Sequence, residues 1–123
     1  MAKILPKGKG VWVPIDHGVT DFPCVGLENI EATITAIIAG GANVIVAHKG
    51  VVDKYSHLCE GTATSMIAHL SASTRHGGKN HSNKVLVGDV DEAIMRGAVG
   101  VSVQANIGSK KESTMLQRMG HIT

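Results

Sequence analysis

The sequence predicts an α/β fold on a parallel sheet, either half of a (β/α)8 barrel or a small open sheet. Four short apolar segments are separated mostly by stretches of helical pattern, which favours parallel strands joined by crossovers. Two of these segments each follow a helical stretch and a Gly-Ala pair, at Gly41-Ala42 and Gly97-Ala98, as in a weak internal repeat. At 123 residues the chain is a single domain or part of one, because a complete barrel takes roughly 250 residues.

The first strand is predicted over residues 11–15, where β-branched side chains alternate and Pro14 cannot donate to a ladder. It is of the buried type and runs directly into Asp16 and His17, and Gly18 is expected to let the backbone turn sharply there. Enzymes with parallel sheets present catalytic side chains at such strand ends. Asp16 is therefore the first catalytic candidate; the alternative is that it only caps a turn or the next helix.

The next unit is predicted as a helix followed by a strand. Apolar residues recur at helical spacing over residues 27–38 and end at a Gly-Gly pair. An unbroken apolar run over residues 43–47 predicts a strand buried on both faces, with His48 and Lys49 at its polar end. Residues 51–63 are ambiguous between one helical turn and a loop.

The second half of the chain contains the remaining strands. An apolar run predicts a third strand over residues 66–70, and the polar residues 71–84 after it predict a long, mobile loop. Residues 84–88 form a short extended piece. Alternating valines over residues 99–105 predict the fourth strand.

Two helices are predicted from capping patterns. Asp89, followed three residues later by a glutamate, opens a helix that runs through Arg96 and stops at Gly97. Ser109, also followed three residues later by a glutamate, opens the last helix, which Gly120 is expected to end.

Polar side chains follow the predicted strands at their carboxyl ends, where parallel sheets bind ligands. An aspartate beside a histidine, facing a lysine from the next strand, suits carbonyl chemistry because it combines an acid/base with an amine that can form a Schiff base. Lys49 is the best amine candidate, although a solvated or phosphate-pairing lysine is the more common case, because a nucleophilic amine needs desolvation to lower its pKa. His17 either binds substrate or is structural, and His48 has the same alternatives. The residues expected to gather at this end are Asp16, His17, His48, Lys49, Ser71 and Asn106.

Composition and spacing weigh against several other classes of protein. A net charge of +2 and only one Trp, one Tyr and one Phe leave little for binding nucleic acid. The seven histidines show no metal-binding spacing and the glycines no Walker motif, so no metal or cofactor is expected. The stretch MAKILPKGKG lacks a signal-peptide core, no apolar run suits a membrane span, and Cys24 and Cys59 suggest thiols in a reducing compartment. We expect a cytoplasmic protein that does not bind membranes.

Four blocks of the sequence, in order, resemble the archaeal-type class I aldolases: VPIDHGV, GLENIEATITAIIAGGANVIVAHKGVV, IAHLSAST and KVLVGDVDEAIMRGAVGVSVQANIGS. The resemblance covers residues 11–120 and implies the first four βα units of a (β/α)8 barrel. It also implies a lysine Schiff base and a sugar-phosphate substrate, closest to transaldolase-type members that use aspartate semialdehyde in aromatic amino-acid biosynthesis. By the same resemblance Asp16 is the proton acceptor, and the substrate-binding loop is Asp16, His17, Gly18, Val19 and Thr20.

The resemblance also implies what is missing before Thr123. The family's Tyr-Pro-Arg-Gly segment and its Schiff-base lysine have no counterpart, so residues 1–123 are expected to form one partial domain that is inactive alone. Half a barrel leaves two strand edges open, which predicts self-association, and relatives suggest a homo-oligomer. Three alternatives remain: a fructose-bisphosphate aldolase or related thiolase, a non-catalytic half-barrel module, and a small open-sheet phosphate-binding protein.

Overall fold

In the computed structural model, which describes residues 4–123, a four-stranded parallel sheet carries helices between its strands. Residues 1–3, the start of the stretch tested above for a signal peptide, lie outside the described residues. No helix within residues 4–123 has the length and apolar character needed to cross a bilayer. In chain order the elements are β1 (Trp12–Pro14), α1 (His17–Thr20), α2 (Ile30–Ala39), β2 (Val44–Ala47), α3 (Lys49–Tyr55), β3 (Ser65–His69), β4 (Ser71–Ala72), β5 (Val85–Leu86), α4 (Val90–Met95), β6 (Val101–Ser102) and α5 (Glu112–Ile122). Short 3-10 turns cover Pro6–Gly8, Ser56–Cys59 and Arg75–Asn80.

The main sheet has the spatial order β1-β2-β3-β6, and every neighbouring pair is parallel. Val13 lies opposite Ile45, Ile45 opposite Met66, and Ala68 opposite Val101. Helical segments connect successive strands, as parallel pairing requires. The predicted parallel sheet in chain order is confirmed. Within residues 4–123, β1 and β6 each pair on one side and are the sheet's edges.

The core lies between the sheet and the helices that cover it. Ile34 of α2, Ile45 of β2, Val52 of α3 and Met66 of β3 are all essentially inaccessible to solvent and pack in one cluster. Burying each such side chain contributes about 1.5–3 kcal/mol, which makes this cluster the main stabilising contact between the layers. The apolar runs of β2 and β3 are buried as predicted, because each strand has neighbours on both sides.

Strand β1 is less buried than its sequence suggested. Of the predicted strand residues, Ile15 is buried, whereas Val11, Trp12 and Pro14 are exposed. The expectation of a fully buried strand is wrong here because β1 lies at the edge of the sheet. Residues 51–63 prove to be mainly helical, in α3 and the 3-10 turn after it.

The segment after β3 is more ordered in its contacts than a plain loop. Its first two residues form β4, which pairs antiparallel with β5, and Ser71 and Ala72 are both buried. The turn Arg75–Asn80 follows before the chain returns through β5. The short extended piece predicted over residues 84–88 is confirmed as β5. The loop predicted over residues 71–84 instead begins with a strand, β4, which is the partner of β5.

One predicted cap is confirmed and another is wrong. The Asp89 carboxylate accepts a hydrogen bond of 2.8 Å from the backbone N–H of Glu92, so Asp89 caps α4. Helix α5 instead begins at Glu112, after Lys111, and no side chain caps it. Ser109 lies too early to be its cap: its carbonyl accepts from the Glu112 N–H and its hydroxyl from the Lys111 N–H.

Two glycines differ from their expected roles. Gly18 lies inside the single turn of α1 with open space around it and no left-handed backbone, so it is not the hinge that was expected. Gly120 lies inside α5, which runs on to Ile122. A helix tolerates an internal glycine at a cost of about 1 kcal/mol, and α5 does so here.

Gly97 and Gly120 provide a matched pair of alanine substitutions with opposite expected effects. Gly97 follows α4 with φ of +93°, and a Cβ there would lie 2.5 Å from Ser56 Oγ. We expect Gly97→Ala to lower the free energy of unfolding by about 1–3 kcal/mol. Gly120→Ala, in open space within a helix, should raise it by about 0.5–1 kcal/mol. Urea unfolding followed by circular dichroism measures both; equal effects of the two variants would contradict this account.

Candidate functional site

Asp16 lies directly after β1, where the parallel ladder still holds the chain. The backbone N–H of Ile15 donates to the carbonyl of Val46 at 2.8 Å, which fixes the position of the next residue. The Asp16 side chain is 23% exposed and makes no capping hydrogen bond to α1. The structure therefore does not support the alternative in which Asp16 only caps a helix, and its carboxylate is available for another partner.

That partner is His69, the last residue of β3. His69 Nε2 lies 3.6 Å from Asp16 Oδ2, and its Nδ1 is 2.8 Å from the hydroxyl of Ser102 at the end of β6. The His69 side chain is buried, and its Nε2 makes no hydrogen bond to any group within residues 4–123. Three strands thus bring Ser102, His69 and Asp16 into one row at their carboxyl ends. The sequence reasoning missed His69 because it lies within an apolar run; its place at the end of that run was the available indication.

His48 supports this row from the neighbouring strand. Its Nδ1 donates to the backbone carbonyl of His69 at 3.0 Å, because a carbonyl oxygen can only accept. The two imidazole rings lie 5.7 Å apart. His48 therefore makes a structural contact at the carboxyl end of the sheet and holds the backbone of His69.

The environment of His69 favours the neutral form of its ring. Burial lowers the pKa of His69 below its ordinary value, and the charges of His48 and Lys84 lower it further, while the Asp16 carboxylate opposes them. A neutral ring that accepts the Ser102 hydroxyl proton at Nδ1 presents Nε2–H to Asp16. This tautomer is the one that suits an ionised Asp16, since it places a donor toward the carboxylate.

The lowered pKa of His69 predicts a dependence of stability on pH. When the pH falls below the ordinary histidine pKa of 6.5, His69 becomes protonated in the unfolded chain. In the native chain its pKa is lower, so it binds the proton less readily. The free energy of unfolding should therefore be greatest above that value and fall as the pH drops through it. We expect urea unfolding between about pH 7.5 and 5.5 to show this loss.

His57, which is exposed on the 3-10 turn after α3, offers a matched control for this prediction. His69→Gln should flatten the pH dependence, because a glutamine does not titrate, whereas His57→Gln should leave the slope as it is. Identical slopes in all three proteins would show that His69 is not the residue responsible.

Lys49 is not placed as the sequence suggested. Its Nζ makes 2.9 Å hydrogen bonds to both carboxylate oxygens of Glu92, and Glu92 also binds Arg96, which pairs with Asp53. The bond from Lys49 lowers the pKa of Glu92. An ion-paired ammonium has no lone pair for attack on a carbonyl. The structure thus does not support Lys49 as a Schiff-base amine: as the first residue of α3 it reaches α4 rather than Asp16.

The short helix α1 separates two cavities. Gly18 and Val19 line an apolar cavity of about 310 Å³ that also reaches His48. Thr20 lines a polar cavity of about 290 Å³ on the other side. His17 and Val19 are exposed on the helix. The predicted substrate-binding residues are therefore together on one turn, but they face different spaces.

Ser71 and Asn106 also lie at this end of the sheet, and both are engaged with backbone groups. The Ser71 hydroxyl accepts from the Gln104 N–H at 2.9 Å, and the Asn106 amide donates to the Ser82 carbonyl at 2.7 Å. These bonds connect the segment after β3 to the segment after β6. Both residues therefore have structural contacts at the carboxyl end of the sheet.

Comparison with solved structures identifies this architecture. An archaeal fructose-1,6-bisphosphate aldolase, solved with its catalytic lysine bound to a carbinolamine intermediate, superposes with a TM-score of 0.80 at 23% identity. The match covers 98% of this chain and 49% of that one. Another archaeal fructose 1,6-bisphosphate aldolase gives a TM-score of 0.78 at 25% identity, over 98% and 48% of the two chains. The fold is thus that of a partial (β/α)8 barrel, as predicted.

Sequence comparison points to the same group of enzymes. The chain is 34% identical, over its full length, to 2-amino-3,7-dideoxy-D-threo-hept-6-ulosonate synthase 1 of Archaeoglobus fulgidus, and covers 46% of that protein. It is also 34% identical to the synthase of the same name from Halobacterium salinarum, over 89% of this chain and 40% of the relative. The third relative, 2-amino-4,5-dihydroxy-6-oxo-7-(phosphonooxy)heptanoate synthase of Streptomyces griseus, is 34% identical over 89% of this chain and 39% of its own.

The chain spans less than half the length of each of these three curated relatives. A family profile described as DeoC/LacD family aldolase matches residues 10–123, which is nearly the whole sequence. The matched range contains every strand of the sheet and the Asp16–His69–Ser102 row. On this evidence the chain belongs to the DeoC/LacD family of aldolases.

Proposed function

We propose that this chain provides the proton-transferring side of the active site in a Schiff-base aldolase or transaldolase barrel. The observation that carries the proposal is the Asp16 carboxylate at the carboxyl end of β1, facing the buried ring of His69 at 3.6 Å. A carboxylate placed at such a strand end suits proton abstraction, because substrates of parallel barrels bind there. The lysine that would form the imine lies outside residues 1–123.

In this proposal each residue at the carboxyl end of the sheet has a separate role in the reaction. Asp16 accepts the proton of the substrate hydroxyl as the adjacent carbon–carbon bond breaks, and the electron pair of that bond moves toward the imine. His69 directs Nε2–H toward the Asp16 carboxylate across 3.6 Å, and Ser102 orients the His69 ring. The turn from His17 to Thr20 borders the substrate. The positions and contacts of these residues at the carboxyl end of the sheet support the assignments.

The substrate pair proposed is a ketose phosphate and aspartate semialdehyde, as in the synthases that the sequence resembles. The three relatives named above support this, since all three are synthases of seven-carbon amino-keto products. A fructose-bisphosphate aldolase is the second candidate, and the structural neighbours favour it. We further propose a cytoplasmic homo-oligomer for the assembled enzyme.

A chimera tests the proposal. Residues 1–123 are fused to the part of the Archaeoglobus fulgidus relative that lies beyond its match with this chain. The chimera is incubated with a ketose phosphate, reduced with borohydride and examined by intact mass and peptide mapping. We expect an adduct on a lysine of the relative's portion, and turnover that distinguishes aspartate semialdehyde from glyceraldehyde 3-phosphate as the acceptor.

The parent relative and the 123-residue chain alone are the controls. The parent should be labelled in the same way, and the chain alone should remain unlabelled. A folded chimera without adduct, beside a labelled parent, would contradict the proposal. An adduct on Lys49 in the chain alone would contradict the placement of the nucleophile.

A further inference from the structure

Lys84 is a largely buried lysine whose ammonium makes no ion pair within residues 4–123. Its residue is only 9% exposed, and no hydrogen bond or ion pair joins its Nζ to any group within residues 4–123. Its backbone is held firmly, since its N–H donates to Met115 Sδ at 3.3 Å and its carbonyl accepts from Arg118 at 3.1 Å. The ammonium keeps access to solvent through the adjoining cavity, where an anion can pair with it.

The cavity beside Lys84 is lined by side chains that can donate hydrogen bonds. It has a volume of about 290 Å³, and Thr20, Ser73, Ser82 and Gln104 line it together with Lys84. The Ser73 hydroxyl is buried and makes no hydrogen bond within residues 4–123. Hydroxyl and ammonium donors that line one open cavity can bind an oxyanion together.

The charges around the cavity favour an anion. Arg75 also lines the cavity. One of its guanidinium N–H groups donates to the Phe22 carbonyl at 3.0 Å, and its other N–H groups are not used in that bond. His81 lines the cavity as well, and Asp21 is the carboxylate that opposes these groups. Lys84 and the exposed Arg75 thus place two positive charges at this cavity, against the single carboxylate of Asp21. A small anion would balance them.

The cavity also lies next to the proposed catalytic row. Thr20 and Asp21 follow Asp16 along α1, and Gln104 is bound through its N–H to Ser71 after β3. The charge of Lys84 helps to lower the pKa of His69, which places the two residues within electrostatic range. A substrate long enough to extend from Asp16 into this cavity would place an anionic group beside Lys84.

We propose that this cavity is an oxyanion subsite, in which Lys84 binds a phosphate or carboxylate group of the substrate. The inference names a substrate group for the proposed active site and in that respect rests on the proposed function. Every group that forms the subsite lies within this chain. It is thus separate from any phosphate contact that the remainder of a barrel would add.

The test uses the 123-residue chain with lysine labelled with carbon-13 at Cε. Sodium phosphate and sodium acetate are titrated separately at constant ionic strength, and Lys84→Arg assigns the Lys84 resonance. We expect a saturable shift of the Lys84 resonance with at least one of the two anions, while the exposed Lys54 resonance stays in place. A shift with phosphate alone assigns the subsite to a phosphate group, and a shift with acetate alone assigns it to a carboxylate.

Substitutions give a second measurement, by phosphorus-31 line broadening for phosphate or calorimetry for acetate. Lys84→Met should weaken anion binding by about ten- to a hundredfold, the effect of losing one charged donor, and Lys84→Arg should largely retain it. Lys54→Met, on the outer face of α3, should bind as the parent does. If Lys84→Met does not fold by circular dichroism, Ser73→Ala is expected to weaken binding instead.

Two results would overturn the inference. One is an immobile Lys84 resonance with both anions in a folded chain. The other is undiminished binding by a folded Lys84→Met variant. Neither result depends on aldol chemistry, because the titration needs no imine. Saturable binding at Lys84 together with an unlabelled chimera would overturn only the proposed reaction, and the reverse pattern would overturn only the subsite.

Discussion

Asp16→Asn is expected to lower the turnover number of the chimera by roughly 10²- to 10⁴-fold, which is the usual contribution of a positioned general base. Asparagine has nearly the same shape as aspartate but cannot accept a proton at its amide. Because Asp16 makes no helix-capping bond and is partly exposed, the substitution should leave the fold intact. The substrate contacts of the neighbouring turn remain, so KM should change much less than kcat.

Steady-state kinetics of the chimera and its variant measure this effect. Asp53→Asn is the matched control: Asp53 is an exposed aspartate on α3 that pairs with Arg96 and lies outside the proposed site. It should alter turnover by less than about twofold, since an exposed ion pair contributes little. A kcat for Asp16→Asn within a few-fold of the parent value would remove Asp16 from the role of proton acceptor.

Self-association of the 123-residue chain is the second large effect expected. Val11 continues β1 and Val99 precedes β6; both take part in backbone ladder bonds, and both side chains are more than half exposed. Open strand edges with apolar side chains pair readily with other chains, and charges on such edges prevent this. We expect the double variant Val11→Lys, Val99→Lys to convert an associated chain into a monomer.

Sedimentation velocity over a range of concentrations distinguishes the two states. Val25→Lys serves as the control, because Val25 is 92% exposed but lies in the segment before α2, away from either edge. That variant should associate as the parent does. A parent chain that sediments as a monomer at all concentrations would contradict the prediction, and so would association that the edge lysines leave unchanged.

The strands and helices of this fold were largely predictable from local pattern. The strand before His48 was predicted from an apolar run, and the cap of α4 was predicted from Asp89. Each pattern involves residues of a single element, and the structure confirms both. The failures also have local causes. Gly120 looked like a helix end because glycine often ends helices, yet α5 continues past it since nothing in its backbone requires a left-handed turn.

The site was only partly predictable. Asp16 was found because it directly follows a strand, and the sequence indicates where strands end. His69 was missed, since a histidine within an apolar run is usually a satisfied core residue. The ion pair of Lys49 could not be predicted, because nothing in the spacing shows that its amine meets Glu92, 43 positions along the chain.

The α/β class, the order of the elements and the position of Asp16 at a strand end were predictable, because they follow from periodicity and turn residues along the chain. The contacts between side chains were not: His69 lies beside Asp16, Lys49 pairs with Glu92, and the Lys84 ammonium makes no ion pair within residues 4–123. Those contacts join residues far apart in the chain. They depend on the register of parallel strands and on how the helices cross over them, which local spacing does not encode.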